Sequence, residues 1–530
     1  VEISAFTLAE TIGLFAVIFL LIFFNSVRLI YMVRPAELLK GGQIGEKMPK
    51  TKWPLALLGV VTLAGGYLLA LKADNVMTGL NTFFVAVLLV IVGTFSLFTA
   101  GSIAFLKLLQ KNKRYYYKTN HFISVSGMIY RMKQNAVSLS LICIMSTGVL
   151  LLISSTTSLY VGQEHSLYMH YPKEFRISLS LGTEPDDSAQ FEKELKEIGT
   201  YAENYLKDNN IDIKNEGSQT VIDVAALQKD GNVQITSSRI YGSEDFENLC
   251  MLQAVTLEDY NRETKKNETL KDGEALVFLE DVPLQQDTFS VNNMKWKVKH
   301  LPEDTRMGDT GLEFYANPVY RIVVKDFAQL QDLWKINKEV YRENASRVKY
   351  EYSFDVDLPE EKIQELTSSL HAYLGEQKDA PHAFVYGIEN RTESRAEFYS
   401  LYGGLFFLGI FLGLLFVMAT VLIIYYKQIS EGYEDKERFA ILKKIGMEWG
   451  EINASIHSQV LMVFFLPLAA AGIHSCFAFH LVKEILMGGF GLWDVDLLVI
   501  CTVLTFLVFA VFYVIVYLIT AREYYKIVSE

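Results

Sequence analysis

NAVSLSLICIMSTGVLLLISSTTSLY, residues 135–160, and YSLYGGLFFLGIFLGLLFVMATVLIIYY, residues 399–426, contain no Asp, Glu, Lys, Arg or His. Each is longer than the ~20 apolar residues a helix needs to cross a bilayer. Between them lie 238 residues, 161–398, that read as soluble, with 27 Lys and Arg against 45 Asp and Glu, a balance of −18. The other 292 residues hold 22 basic and 16 acidic side chains, a balance of +6. The pattern predicts a membrane protein that carries one large acidic domain tethered at both ends.

Working outward, hydrophobic residues make up 51% of the chain and the mean hydropathy is positive, which excludes a purely soluble protein. Seven segments pass the length and apolarity test: 7–30, 53–71, 80–106, 135–160, 399–426, 458–482 and 497–521. Lys and Arg in short loops stay cytoplasmic. They crowd the loops after the first, third and fifth segments (Arg34 and Lys40; Lys107, Lys111 and Arg131; Lys427, Arg438 and Lys443), while the loops around Lys72 and Lys483 are nearly bare. The chain should therefore start outside, end in the cytoplasm at Arg522 and Lys526, and place 161–398 outside the cell. Only Cys250 of the four cysteines falls in the insert, so an internal disulfide is excluded, which fits a bacterial cell membrane. Val1 follows no basic region, and the chain is read as beginning in mid-protein.

The insert reads as α+β. Strand-like stretches at 174–181, 220–227, 232–241, 321–324 and 349–356 are interleaved with helical ones at 186–209, 327–341 and 359–374. Before the fourth span, Phe122, Val125, Ile129 and Met132 share one helical face. This predicts either a helix lying in the inner interface and turning into the span, or a cytosolic extension of it.

Much chemistry is excluded. No phosphate loop is present, so ATP, if used, is bound by a separate chain. Cys/His metal spacing and a nucleophile elbow are also missing, and the adjacent acids Asp186-Asp187 and Glu360-Glu361 suit helix starts. No catalytic, cofactor or metal residues are expected, and no nucleic-acid partner. The clearly intramembrane ionisable side chains, away from the ends of the spans, are His474 and His480, both on the sixth, too few for an ion relay. Pro467 and His474 remain the intramembrane positions to watch, His474 as a packing hydrogen-bond donor or a proton carrier.

After the fifth span, Glu431-Gly-Tyr-Glu434-Asp-Lys-Glu437-Arg438-Phe439-Ala-Ile-Leu442-Lys443-Lys-Ile445-Gly446 reads as a short cytosolic helix. Glu434 and Arg438 pair at i, i+4, Phe439, Leu442 and Ile445 form an apolar stripe, and Gly446 is a C-terminal stop. Such a stripe either lies on the bilayer or docks a cytosolic partner. The segment resembles the one that FtsX-like ABC permeases carry after the helix returning from their extracytoplasmic domain. Arg34-Pro35-Ala-Glu-Leu-Leu resembles the end of the first four-span repeat of that family. The large insert and the phrase Ser124-x5-Tyr130-Arg131-Met132-Lys133-x-Asn135 resemble its Gram-positive bacitracin-resistance branch.

The resemblance implies ten spans, three of them upstream of the seven visible here. It divides the chain into a last helix of the first repeat (1–34), a two-helix connector with cytosolic loops and the interfacial helix (35–134), a span (135–160), the extracytoplasmic α+β domain (161–398) and three spans (399–530) with a coupling segment at 431–457. It implies a non-enzymatic permease subunit giving resistance to, and sensing of, wall-active peptides. Its partners would be two copies of an ABC ATPase, a membrane histidine kinase, a peptide antibiotic or its lipid complex, and membrane lipids. Two rivals follow from the same likeness: a sensor scaffold that transports nothing, and a cell-division regulator of wall hydrolases.

Overall fold

The structure is a computed structural model and describes residues 5–32, 52–73, 76–116, 119–229, 231–236, 248–279, 282–302, 305, 318–377, 382–444, 449–492 and 494–529. The first part of the chain comprises α1 (Ala5–Met32), α2 (Trp53–Leu71), α3 (Val76–Ser96), α4 (Ser102–Lys111) and α5 (Thr119–His170). The tethered domain follows as β1 (Phe175–Leu181), α6 (Ser188–Asp208), β2 (Ile213–Lys229), β3 (Asn232–Gln234), β4 (Leu249–Thr256), α7 (Leu257–Thr264), β5 (Glu274–Leu279), β6 (Val282–Pro283), β7 (Thr288–Val291), β8 (Met294–Val298), β9 (Val319–Val324), α8 (Phe327–Tyr341), β10 (Lys349–Val356), α9 (Glu360–Gln377) and β11 (Phe384–Asn390). The chain then returns through α10 (Arg391–Lys444), α11 (Trp449–Phe490) and α12 (Val495–Ser529).

Seven helices among the described residues are long and apolar enough to cross a membrane, one at each expected segment. The third is α3 joined to α4 through a π-helical turn, Leu97–Gly101. The protein is thus a polytopic α-helical membrane protein with a sheet-containing domain.

Two helices differ from expectation. α5 runs 52 residues and α10 runs 54, about 80 Å each at 1.5 Å per residue, far more than a ~30 Å hydrocarbon core requires. The turn expected near residue 134 is therefore absent: Ile129 and Met132 belong to α5 and are buried against the bundle, among Leu139, Ile142, Val516 and Tyr524. The side chains of Phe122 and Val125 lie outside the described residues. Likewise, no break separates the fifth span from the segment expected to be a short helix of its own; α10 continues to Lys444. Buried contacts along one face of each rod explain both, because a helix with a packed neighbour has no reason to end at the membrane boundary.

In the tethered domain eleven strands form one sheet in the order β11-β1-β10-β2-β3-β7-β8-β5-β9-β4, with β6 beside β5. An added β2–β4 pairing makes seven strands return on themselves as a ring. The first half of the 17-residue β2 pairs with β10, and its second half pairs with β4 and β3, so one strand joins the ring to the open β10-β1-β11 flap. α6, α8 and α9 cover the apolar face with Leu195, Ile198, Leu330, Leu333, Leu366 and Leu370, against Ile177, Leu179, Tyr352 and Phe354 of the strands. The helix starts are capped as their sequences direct: Asp187, Thr256 and Asp326 accept from the N–H of Gln190, Asp259 and Gln329.

Candidate coupling site in the helical bundle

α5 and α10 emerge from the two ends of the tethered domain and pack against each other along the bundle, joined by α11 and α12. The residues that hold them together fall into three levels.

At the sheet end, Arg391 is the first residue of α10 and is buried. Its backbone N–H donates to Glu174 O at 2.9 Å, its Nε donates to Tyr171 O at 2.7 Å and its Nη2 donates to Pro172 O. The guanidinium also lies 4.4 Å from the Tyr168 ring centre, 3.8 Å from Glu174 and 3.7 Å from Asp355. Glu174 in turn accepts from Thr392 N–H and Oγ1 at 3.0 and 2.6 Å, while its own N–H donates to Asp355 of β10 at 2.8 Å. One arginine therefore ties the end of α5, the start of α10 and two strands into a rigid corner.

Midway, Gly409 and Gly413 of α10 face α5. A Cβ at Gly409 would lie 2.2 Å from Thr156 Oγ1, and one at Gly413 would lie 2.9 Å from Ile153. Glycines four apart allow the backbones this approach, the packing device of membrane helices. Ser140, Ser146, Ser154 and Ser158 of α5 are buried; Ser140, Ser154 and Ser158 donate to carbonyls of their own helix, so their small polar tips carry no unmet donor.

At the far end, about 58 Å of helix from the sheet, five buried side chains meet. Arg131 and Asn135 stand one turn apart on α5, Glu431 and Asp435 one turn apart on α10, and Tyr524 projects from α12; all are at most 5% exposed. Arg131 Nη2 donates to Asp435 and, at 3.1 Å, to Tyr524 OH. Tyr524 OH donates to Asp435 at 2.6 Å. Asn135 donates to Glu431, whose Oε2 lies 3.7 Å from Arg131 Nη1. Two carboxylates of α10 share one guanidinium of α5, and the Tyr524 hydroxyl of α12 hydrogen-bonds both sides. Withdrawing any of the three helices therefore leaves a buried charged or polar group short of a partner.

His474 and Pro467 belong to α11. Thr94 gives its hydroxyl proton to Val90 O at 2.6 Å, so it accepts from His474 Nε2 at 3.0 Å, and Tyr67 OH donates to Nδ1 at 2.5 Å. Tyr67 also stacks on Phe477 with ring centres 3.9 Å apart. His474 is placed as a neutral pin between α11 and the α2–α3 hairpin. Buried Pro467 interrupts the hydrogen-bond ladder of α11, and just before it Phe464 O accepts from Tyr513 OH of α12 at 2.9 Å.

Of the expected coupling residues, Glu434 is exposed on α10, one residue before Asp435. Glu437, Arg438, Phe439, Leu442 and Lys443 lie on the same helix, but their side chains fall outside the described residues, as do Ile445 and Gly446 altogether. Sequence reasoning took Arg131 and Asn135 in one phrase and Glu431 with the following acids in another, but did not bring the two together. The available signal was two i, i+4 polar pairs, Arg131/Asn135 and Glu431/Asp435, of opposite charge at matching ends of two spans.

No family model matches the chain. The ABC transporter permease protein YxdM of Bacillus subtilis is 26% identical over 497 residues, covering 88% of this chain and 69% of its own length. The bacitracin export permease protein BceB of Halalkalibacterium halodurans is 25% identical over 79% of this chain and 61% of its own length. BceB of Bacillus subtilis is 24% identical over 89% and 69%.

Proposed function

From this chain's homology to ABC transporter permeases, we propose that it is the membrane subunit of an ABC system that gives resistance to, and senses, bacitracin-like peptides that attack the cell wall. In this reading the tethered domain is extracellular and the C-terminus cytoplasmic. ATP is hydrolysed on a cytosolic partner, in two copies, docked at the α10 segment containing Glu434, Arg438 and Leu442. A membrane histidine kinase reads out the activity. Motion driven at the far end travels along α5 and α10 to the sheet, which displaces the peptide from its lipid target.

The observation that carries this reading is the pair of unbroken rods, cornered by Arg391 at the sheet and by Arg131 at the other end. Leu442→Asp is expected to abolish copurification of the ATPase while leaving the permease in the membrane. Function is tested by measuring bacitracin resistance in cells that lack the kinase but express permease and ATPase constitutively. Retained protection is expected; total loss would replace transport by a sensing scaffold.

A further inference from the structure

β11 ends the sheet on one side. It pairs with β1 along all seven residues, from Phe384 opposite Leu181 to Asn390 opposite Phe175, and no other described strand pairs with it. The ladder's backbone bonds are fixed at both ends, by Gly182 N–H donating to Ala383 O and Arg391 N–H donating to Glu174 O. Residues of an antiparallel pair alternate between bonding the partner and facing away. In this register Val385, Gly387 and Glu389 bond β1, while Phe384, Tyr386 and Ile388 turn their N–H and C=O groups to the open side. Asn390 is already engaged, its side chain capping α10 by accepting from Glu393 N–H at 2.7 Å.

Proteins blunt such edges with lysine, proline, a bulge or a very short strand. FVYGIEN has no lysine and no proline, and its register with β1 is unbroken over its full length. The strand is also held in place from below: Phe384 is buried, Tyr386 and Ile388 pack on the core, and Tyr386 OH donates to His371 O of α9 at 3.0 Å. On the other face Val385 is 55% exposed. Three exposed glutamates, Glu389, Glu393 and Glu397, lie along the strand end and the first turns of α10, beside Arg176, which pairs with Glu389 at 3.7 Å, and Arg395, which pairs with Glu164 at 3.3 Å, on a domain whose balance is −18.

We propose that the β11 edge receives an extended cationic peptide segment as a twelfth strand of the sheet. The proposal deepens, and rests on, the reading of the tethered domain as the peptide-binding part. Backbone pairing supplies affinity in such strand addition, and the preformed strand lowers its ordering cost. The glutamates favour a partner bearing Lys or Arg.

The test uses the full chain in lipid nanodiscs and two probes, the peptide Lys-Val-Lys-Val-Lys-Val-Lys and the same peptide N-methylated at every residue, which keeps charge and side chains but removes the backbone donors. The plain peptide is expected to bind at least about tenfold more tightly, the worth of one to three backbone hydrogen bonds. Ile388→Pro is expected to cost a similar factor, because it removes an outward N–H without touching the β1 ladder. Equal binding of the two peptides, or undiminished binding by an Ile388→Pro chain of unchanged melting temperature, overturns the edge and leaves peptide recognition standing. Binding of neither peptide overturns both. If Ile388→Pro melts early, the N-methyl comparison decides alone.

Discussion

Arg131 is the side chain on which the far end depends, since Asp435, Glu431 and Tyr524 all address it. Removing one partner of a buried ion cluster leaves uncompensated charge and costs about 3–5 kcal/mol, whereas replacing the whole set by apolar or neutral isosteres is often tolerated. Arg131→Met is therefore expected to lower the melting temperature of the purified protein sharply. The triple variant Arg131→Met, Glu431→Gln, Asp435→Asn should recover most of the loss; a triple variant no better than the single would show the cluster contributes little beyond packing. In the tethered domain Glu351 presents a different case. Burial, then the nearby Asp223 carboxylate, holds its carboxyl above the usual range, against the opposing pull of Arg176, Gln219 and Lys349. Burial likewise raises Asp259, despite its bonds from Thr220 and Thr256 and its pairing with Arg262. A carboxyl with a raised folded pKa binds its proton more tightly folded than unfolded. Its contribution to stability is present at acidic pH and is lost as pH rises through the folded value. Melting followed by the fluorescence of Trp296 and Trp334 should thus move upward as the pH falls from neutral toward the ordinary carboxylate range, and Glu351→Gln should flatten that slope.

The contact of α5 with α10 turns on Gly409, where even a methyl group would strike Thr156. Gly409→Val is expected to force the rods apart at a cost of about 1–3 kcal/mol, and Thr156→Gly, by vacating the same space, should restore part of it. The double-mutant comparison reads the contact directly: additive losses would mean the two residues do not meet. Elements of this kind were the most legible in the sequence. The helix at Phe327–Tyr341 and the strand at Lys349–Val356 fall where their patterns place them, because capping and alternation mark their ends. β4 and β5 escaped notice, and β9 was marked only over its last four residues, for a physical reason. Val319–Val324 is buried at every residue and most of Leu249–Thr256 is too, so neither face alternates with solvent and no period of two is written into them. The ends of α5 and α10 were misplaced because a run of charge looks like a boundary, and nothing local reveals that Arg131 and Asp435 cancel each other across 304 residues of chain.

At the scale of the whole molecule the charge is divided, with −18 on the tethered domain and +6 on the rest. Such a field speeds the encounter of a cation and is screened beyond about 8 Å at physiological salt. Association of a cationic peptide with the full chain should therefore slow as salt rises while dissociation changes less, measured by stopped flow at low and high ionic strength. An on-rate indifferent to salt would assign the acidity to solubility alone. The division into a helical bundle and an acidic domain was plain from the sequence, since composition is additive along the chain. The ring of strands and the Arg391 corner were not, because both are made by residues distant in sequence, such as Tyr168 and Arg391. The two rods bear on time as well as space. A flexible joint between the ends would let each relax on its own clock, with a lag between them. α5 and α10 contain no loop and no proline from the Arg131 cluster to the sheet, so fluorophores placed at both ends should report one shared rate constant, with neither end leading.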